Sequence, residues 1–415
     1  MTQNVILAIN AGSSSVKVSL YLGIEGQEPK QIADVEVSGL SSPPTKLKYS
    51  CHGQQKAKNK VIDNSKKVDS QDAALEYILQ TLFTDKDLDE VSSKDDVSHV
   101  AHRVVHGGNY TKPEPINNET LQTLEHLTDL APLHNASALQ IVKTCMQKLP
   151  KAQNIAVFDS QFHQTIPEHV RTIPIDQDIA KKNKLRKYGF HGISYAFILK
   201  RTAAFLGKDV GETSIIALHL GSGASACVIQ NGSSINTTMS LTPLDGLPGA
   251  TRSGAVDPSL VFHYASNVGK LAPDSTKDLH ISKAEKILNK ESGWKALTGT
   301  TDFGEIAKRD TKEKKLAFDI LVDRVTQYVG AYYVSLQGKC DALVFAGGIG
   351  EKSDELRAAI CAQVSCLGFQ LDESKNGKDI QDIVQDIGTD ARKGSRVLVC
   401  QTDEQFEMAQ SCLSI

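Results

Sequence analysis

The chain has 415 residues, with 46 Lys and Arg against 49 Asp and Glu, for a formal net charge of -3. That balance leaves no electrostatic footprint for nucleic acid, and no apolar stretch approaches the roughly 18 residues of a membrane helix. Hydrophobic residues make up 40% and charged residues 23%, the composition of an ordinary globular protein long enough for two or three domains, or for one fold duplicated. Eight scattered cysteines without a C-x-x-C pair argue against zinc ribbons and disulfide frameworks and suit a reducing compartment. The first apolar run, Val5 to Ile9, is short and follows no basic segment, so a signal peptide is not expected and the expected location is cytoplasmic.

In chain order, Val5 to Ile9 and Val18 to Leu22 flank the stretch NAGSSSVK (Asn10 to Lys17) and predict a hairpin of buried strands with a Gly-Ser turn. Residues 42–68 carry Lys46, Lys48, Lys56, Lys58, Lys60, Lys66 and Lys67 among few apolar anchors, the pattern of a solvated hairpin or loop rather than a binding patch. Asp72 to Leu82 has helical apolar spacing, and VSHVAHRVVHGG predicts a strand ending in a glycine turn. Two helices follow, Asn118 to Leu130 and Asn135 to Lys148, the second entered through Pro132. NIAVFDS predicts a strand ending on Asp159, and YGFHGISY a loop leading into a helix from Tyr195 to Leu206. SIIALHLGSGASACVIQNG is a strand, glycine loop and strand; Leu316 to Leu336 is a long amphipathic helix; DALVFAGGIGEKS is a strand, glycine loop and helix start. RVLVCQTDEQ closes the series with a strand ending in acidic residues.

ILAINAGS and IIALHLGS lie 209 residues apart, so that Ile6 meets Ile215, Ala8 meets Ala217 and Gly12 meets Gly221. Two hairpins with Gly/Ser tips suggest two related halves, each presenting a loop.

Backbone N–H groups in tight Gly/Ser turns form concavities that bind anions. A single such turn is commonly structural, but NAGSSSVK, HLGSGAS and FAGGIGEKS each follow a buried strand, and together they point to a polyphosphate ligand. None is a Walker A loop, because Glu351 precedes Lys352 in GGIGEKS, and no G-x-G-x-x-G opens a first βαβ unit. Phosphoryl transfer also needs a metal-binding carboxylate and positive charge at the moving group. Asp159, Asp403 and Glu404 stand at strand ends, where a carboxylate also serves as a helix cap. Arg103 and Arg252 stand in Gly-punctuated loops, where an arginine pairs with a surface acid or reaches a ligand. His134, His191 and His219 sit in APLHN, GFHG and LHLGSG, with no spacing that supports zinc.

INAGSSSVK, AHRVVHGG, APLHN, FDSQFHQTIP, YGFHG, HLGSG, TPLDGL with TRSG and DP, and FAGGIGE occur here in the order of the acetate kinase family. That family belongs to the sugar kinase, chaperone and actin superfamily and also includes propionate kinases. The resemblance runs from near residue 4 to near 404 and implies an α/β protein with a duplicated ribonuclease-H-like (actin-like ATPase) fold. Residues 1–160, completed by about 404–415, would form one domain and 161–403 a second, nucleotide-binding one, with an interdomain cleft. It implies reversible transfer of the ATP γ-phosphoryl group to acetate, with Mg2+ or Mn2+, in a homodimer that takes acetate, ATP, acetyl phosphate and ADP. Carried over by position, Asn10, Asp159 and Glu404 would hold the metal, and Ser13, Ser15, Lys17, His219, Gly221, Ser222 and Gly223 would face phosphate. Arg103 and Arg252 would neutralise the substrate carboxylate and the phosphoryl group, His191 would bond the phosphoryl oxygens, and His134 would support it. Val105, Leu133, Phe190 and Pro243 match the apolar pocket for the acetate methyl, although core packing also accounts for such residues. Gly347, Gly348, Ile349 and Gly350 match the loop against the adenosine. A carboxylate is already ionised at neutral pH, so no general base is required.

Four positions depart from the family pattern: Ser222 replaces an asparagine, Tyr195 a second histidine, Pro248-Gly249-Ala250 a methionine-glycine pair, and Lys352 an asparagine. The alternatives are a propionate or butyrate kinase, a pyrophosphate-using acetate kinase, and an actin- or chaperone-like ATP-binding protein. The last would have no use for two arginines facing an apolar pocket.

Overall fold

The structure is a computed structural model and describes residues 4–12, 14–40, 43–128, 132–264, 271–272, 275, 281–389 and 396–415. The chain divides into two compact units, Met1–Gln161 with Asp403–Ile415, and Phe162–Thr402.

The first unit is built on strands β1 (Asn4–Ala11), β2 (Ser15–Gly23), β3 (Lys30–Ser38), β4 (Lys46–Cys51), β5 (Gln54–Val61), β6 (His99–Val104), β7 (Glu114–Pro115) and β8 (Gln153–Phe158). They form one sheet in the order β5-β4-β3-β2-β1-β6-β8-β7. β1 is antiparallel to β2 and parallel to β6, and β6 is parallel to β8. Val5 to Ile9 are all buried, as a strand covered on both faces requires. The helices Gln71–Thr84 and Pro132–Lys148 contribute Leu75, Ile78, Ile141 and Cys145 to the core over β1, β2 and β3. The lysine-rich segment is largely the β4–β5 hairpin, whose second strand is mostly exposed.

The second unit carries β9 (Ile215–Leu220), β10 (Ala224–Gln230), β11 (Ser233–Thr237), β12 (Ala342–Ala346), β13 (Val384–Asp386) and β14 (Arg396–Cys400). Their order is β11-β10-β9-β12-β14-β13. Here β9 is antiparallel to β10 and parallel to β12, β12 is parallel to β14, and β13 is antiparallel to β14. This repeats β3-β2-β1-β6-β8-β7 strand for strand, including the antiparallel edge. The short Ile6/Ile215 and Ala8/Ala217 correspondence thus extends to a shared topology. The core over β9 and β12 is filled by Leu321, Val325 and Val329 of the helix Lys312–Ser335 and by Leu356 and Ile360 of the helix Asp354–Gln363.

Several boundaries differ from the sequence reading. The long helix begins at Lys312, where Thr311 accepts a hydrogen bond from Lys314 N–H, so the polar turn before Leu316 is helical too. The helix predicted from Tyr195 starts at Gly192, and that predicted from Asn135 starts at Pro132, a residue suited to the first helical position. The helix Asn118–Thr128 reaches the limit of the described residues, beyond which Leu130 lies. The main correction is at GGIGEK: Gly347–Lys352 is a short helix, not a loop. Its carbonyls are capped from outside by buried Arg357, whose Nη1 donates to Gly350 O at 3.0 Å and Glu351 O at 2.8 Å. The same guanidinium donates to Asn376 Oδ1 at 2.6 Å and Asn376 O at 2.8 Å. Gly347 (φ 75°) sits against β9, where a Cβ would lie 2.8 Å from Leu220 O.

Arg357→Met keeps the bulk but leaves four acceptors short of donors, and should cost about 2–4 kcal/mol in urea unfolding. A second outcome concerns acid. Burial pushes His102, in the first unit, down to about 4 against an ordinary 6.5, opposed by its bond with Asn154. Burial likewise pushes His163, in the second, down to about 4. Both stay neutral in the fold while the unfolded chain binds protons below pH 6.5, so stability is full above 6.5 and falls as pH drops toward 4. The expected loss is about 2 kcal/mol per histidine between pH 7 and pH 5, read by urea unfolding at those two values.

Candidate active site

In the first unit the polar groups collect where parallel strands end. Asn10 closes β1, Arg103 stands at the end of β6, and Asp159 follows β8, its N–H bonded to Val104 O at 3.1 Å. In open α/β sheets this is the side where ligands bind. Glu404 opens the C-terminal helix Glu404–Cys412, which packs along β1 and is tied to it by Gln405 Nε2 donating to Ala8 O at 3.2 Å. Arg103 binds Asp159 with two parallel bonds, Nε to Oδ1 at 3.0 Å and Nη2 to Oδ2 at 2.7 Å. Its Nη1 donates to Asn10 Oδ1 at 3.3 Å and lies 3.7 Å from Glu404 Oε2, which also accepts from Asn10 Nδ2 at 3.2 Å. Asp159 is only 1% exposed. Burial opposes the charge on Arg103, but Asp159 and Glu404 outweigh it and hold the guanidinium protonated. Lys17, paired with Asn10 across the β1–β2 hairpin, forms an ion pair with Asp34 at 3.5 Å. Ser15 begins β2, and its carbonyl closes the turn by accepting from Gly12 N–H at 2.9 Å.

In the second unit the β9–β10 turn, HLGSGAS, closes on itself through Gly221 N–H to Gly223 O at 3.1 Å. Ser222 O accepts from Ala250 N–H at 2.8 Å, which seats the segment Pro248–Arg252 on the turn. Gly223 leaves room for Arg252: a Cβ there would overlap Arg252 Nη2, displacing the guanidinium, and lie 3.7 Å from His191 Nε2. His191 precedes the helix Gly192–Leu206 in the left-handed region, at φ 59° and ψ 20°. That conformation is uncommon outside glycine and concentrates at functional positions. The ring of His191 lies 4.2 Å from that of His219.

A continuous polar chain runs behind these groups. Glu351, its carboxyl pushed up by burial, accepts from Thr402 N–H at 3.1 Å. Thr402 Oγ1 lies 2.8 Å from Ser194 Oγ, which lies 2.8 Å from His219 Nδ1. On the other side, His191 Nδ1 is 2.8 Å from Ser225 Oγ, itself 2.5 Å from Tyr195 Oη. Phe190, fully buried, is anchored by its carbonyl, which accepts from His163 Nε2 at 2.9 Å.

The structure thus brings Asn10, Arg103, Asp159 and Glu404 together in one unit, and His191, His219, Gly221, Gly223 and Arg252 together in the other. Pro243 is buried and Val105 half-buried. Lys352 ends its helix exposed. Ser13 lies outside the described residues, as do the side chains of Leu133 and His134. Sequence reasoning did not single out Ser194, Ser225, Glu351 or Thr402. The available signal was a serine inside a strand, Ser225, otherwise apolar from Ala224 to Ile229.

Two sheets of one repeated topology, with polar groups gathered at strand ends, are the architecture of the duplicated actin-like ATPase fold. The Acetokinase family matches residues 5–410, and the chain belongs to that family. A probable acetate kinase of Chaetomium globosum is 56% identical, over 99% of this chain and 98% of its own length. Among solved structures, an acetate kinase of Porphyromonas gingivalis is 31% identical with a TM-score of 0.81, covering 99% of each chain. A propionate kinase of Francisella tularensis is 31% identical with a TM-score of 0.83, covering 98% of each chain.

The Arg103–Asp159 pair carries a stability signature. Arg103→Ala removes the guanidinium that compensates the buried Asp159 carboxylate and should cost about 3 kcal/mol, and adding Asp159→Asn should recover most of it. Urea midpoints of the two single variants and the double variant measure the coupling.

Proposed function

We propose that the chain transfers the γ-phosphoryl group of ATP to acetate, reversibly, giving acetyl phosphate and ADP. The observation that carries this reading is the packing at Gly223, where the Arg252 guanidinium and His191 Nε2 converge on one bare stretch of backbone. Donors and positive charge fixed there before the reaction suit the spread charge of a phosphoryl group in transfer.

The acetate oxygen attacks phosphorus directly, because the carboxylate is ionised at neutral pH and no side chain has to take its proton. The work left to the protein is in-line positioning and charge neutralisation. In this reading Arg103 binds the acetate carboxylate, and apolar side chains of the family pattern receive its methyl group. His191 and Arg252 hold the phosphoryl oxygens. Ser15, Lys17, His219 and the Gly221–Gly223 turn face phosphates, and Gly347, Gly348, Ile349 and Gly350 lie against the nucleoside. The residues assigned to a divalent cation fit one: the Asp159 and Glu404 carboxylates and the Asn10 amide oxygen gather around a single guanidinium, and hard oxygens are the donors Mg2+ or Mn2+ takes. When bound, the cation would neutralise phosphate charge. A homodimer and a cytoplasmic location go with this reading; no helix of the described residues is long and apolar enough to cross a membrane.

A hydroxamate trap for acyl phosphate, run with acetate, propionate or butyrate against ATP or pyrophosphate, is the direct test. Acetyl hydroxamate with ATP is expected, with propionate slower by the 10–200-fold that one methylene is worth in an apolar pocket, about 1–3 kcal/mol. No acyl phosphate in any combination would remove the kinase reading. Arg252→Ala should lower turnover by about 10³-fold or more with an unchanged circular dichroism spectrum, and Gly223→Ala, which displaces the guanidinium, should lower it in the same direction. Chelation should abolish turnover and added Mg2+ restore it.

A further inference from the structure

Tyr195 occupies a position where the family pattern commonly has a second histidine, and its ring is fully buried beside His163 and Phe162. Its hydroxyl meets Ser225 Oγ at 2.5 Å, and Ser225 Oγ meets His191 Nδ1 at 2.8 Å. All three residues are buried, with Ser225 at 0% exposure, so water does not compete for these bonds. We propose that Tyr195 and Ser225 are positioning residues that hold His191 as the Nε2–H tautomer, with that N–H directed at the Gly223–Arg252 site.

Burial raises the Tyr195 phenol well above its ordinary value, so it keeps its proton throughout the working range. Ser225 Oγ is the hydrogen-bond partner that the structure gives the phenol among the described residues, so the phenol proton is assigned to that bond. Ser225 then has a single proton of its own, and the other hydrogen-bond partner given to it among the described residues is His191 Nδ1. A donor at Nδ1 makes that nitrogen the acceptor and places the ring proton on Nε2, since the bond made by one ring nitrogen sets the state of the other. Nε2 is the nitrogen on the Gly223 side. The left-handed backbone at His191 fixes where the ring starts, and the Ser225 bond fixes its rotation. His191 therefore faces the phosphoryl site as a donor without being charged. The alternative arrangement, Nδ1–H donating to Ser225, would present a bare lone pair to phosphoryl oxygens and repel them.

This inference rests on the reading of His191 as a phosphoryl contact, and its test has a readout that needs no turnover. In protein labelled with 15N-histidine, the ring nitrogens of His191, assigned by their loss in His191→Asn, should show the Nε2–H tautomer in wild type. Tyr195→Phe removes one oxygen and keeps the ring, and Ser225→Ala removes the donor to Nδ1. Both variants should give mixed or inverted tautomers, and kcat should fall by about 10-fold or more with KM for acetate and ATP within about two-fold. Wild-type His191 as Nδ1–H, or a Tyr195→Phe variant with unchanged ring-nitrogen shifts, would overturn the proposal. A change in kcat without a change in tautomer would overturn it too, because it would mean that Tyr195 acts only through packing. If wild type makes no acyl phosphate while the tautomer results hold, the functional reading fails and the assignment of the ring proton stands.

Discussion

Strands covered on both faces leave no place for charge along their length. Val5 to Ile9 in β1 and Ile215 to Leu218 in β9 are buried without exception, and each lies in the middle of its sheet. Charge is therefore confined to the ends of these strands and of their parallel neighbours, and the two sheets solve that constraint differently. In the first unit β1, β6 and β8 end in an amide, a guanidinium and a carboxylate bonded to one another. In the second, β9 ends in a bare glycine turn, β12 runs into a glycine helix and β14 is followed, two residues on, by Thr402. One topology has given rise to a charged half and a backbone half.

The charged half is self-compensating. Arg103 carries its charge among Asp159 and Glu404, and Asp159 tolerates near-complete burial because two guanidinium N–H groups are fixed against it. Removing one member costs more than the pair is worth, since the survivor remains buried with its main charge compensation gone. The backbone half depends on the absence of side chains: a guanidinium rests on Gly223 because nothing projects from it, and Gly347 meets β9 on the same terms.

Much of this was legible in the sequence because it is local. Continuous apolar runs bounded by Gly and Ser mark β1, β2, β9, β10, β12 and β14, and the ordered motifs placed Arg103, Asp159, His191 and Arg252 as site candidates. The failures were non-local. The glycine run 347–350 reads as a loop because glycine is a poor helix former, yet it is helical, with Arg357 of the following helix capping its last carbonyls. Ser225 gave no signal beyond a hydroxyl in an apolar strand, and its role appears only when Tyr195 and His191, 30 and 34 residues away in sequence, arrive on either side of it. The topological repeat was hinted at by a few matched residues and became plain only from strand order.

The left-handed backbone at His191 also changes how substitutions there must be read. Alanine at that position removes the imidazole and, in the same step, asks an L-residue with no local polar support to hold a conformation it disfavours by about 1–2 kcal/mol. The helix start at Gly192 would be free to relax, and any loss of activity would mix chemistry with altered shape. Asparagine tolerates the same region and removes the ring alone. Comparing Asn, Gly and Ala at residue 191 therefore separates what the imidazole does from what the bend does.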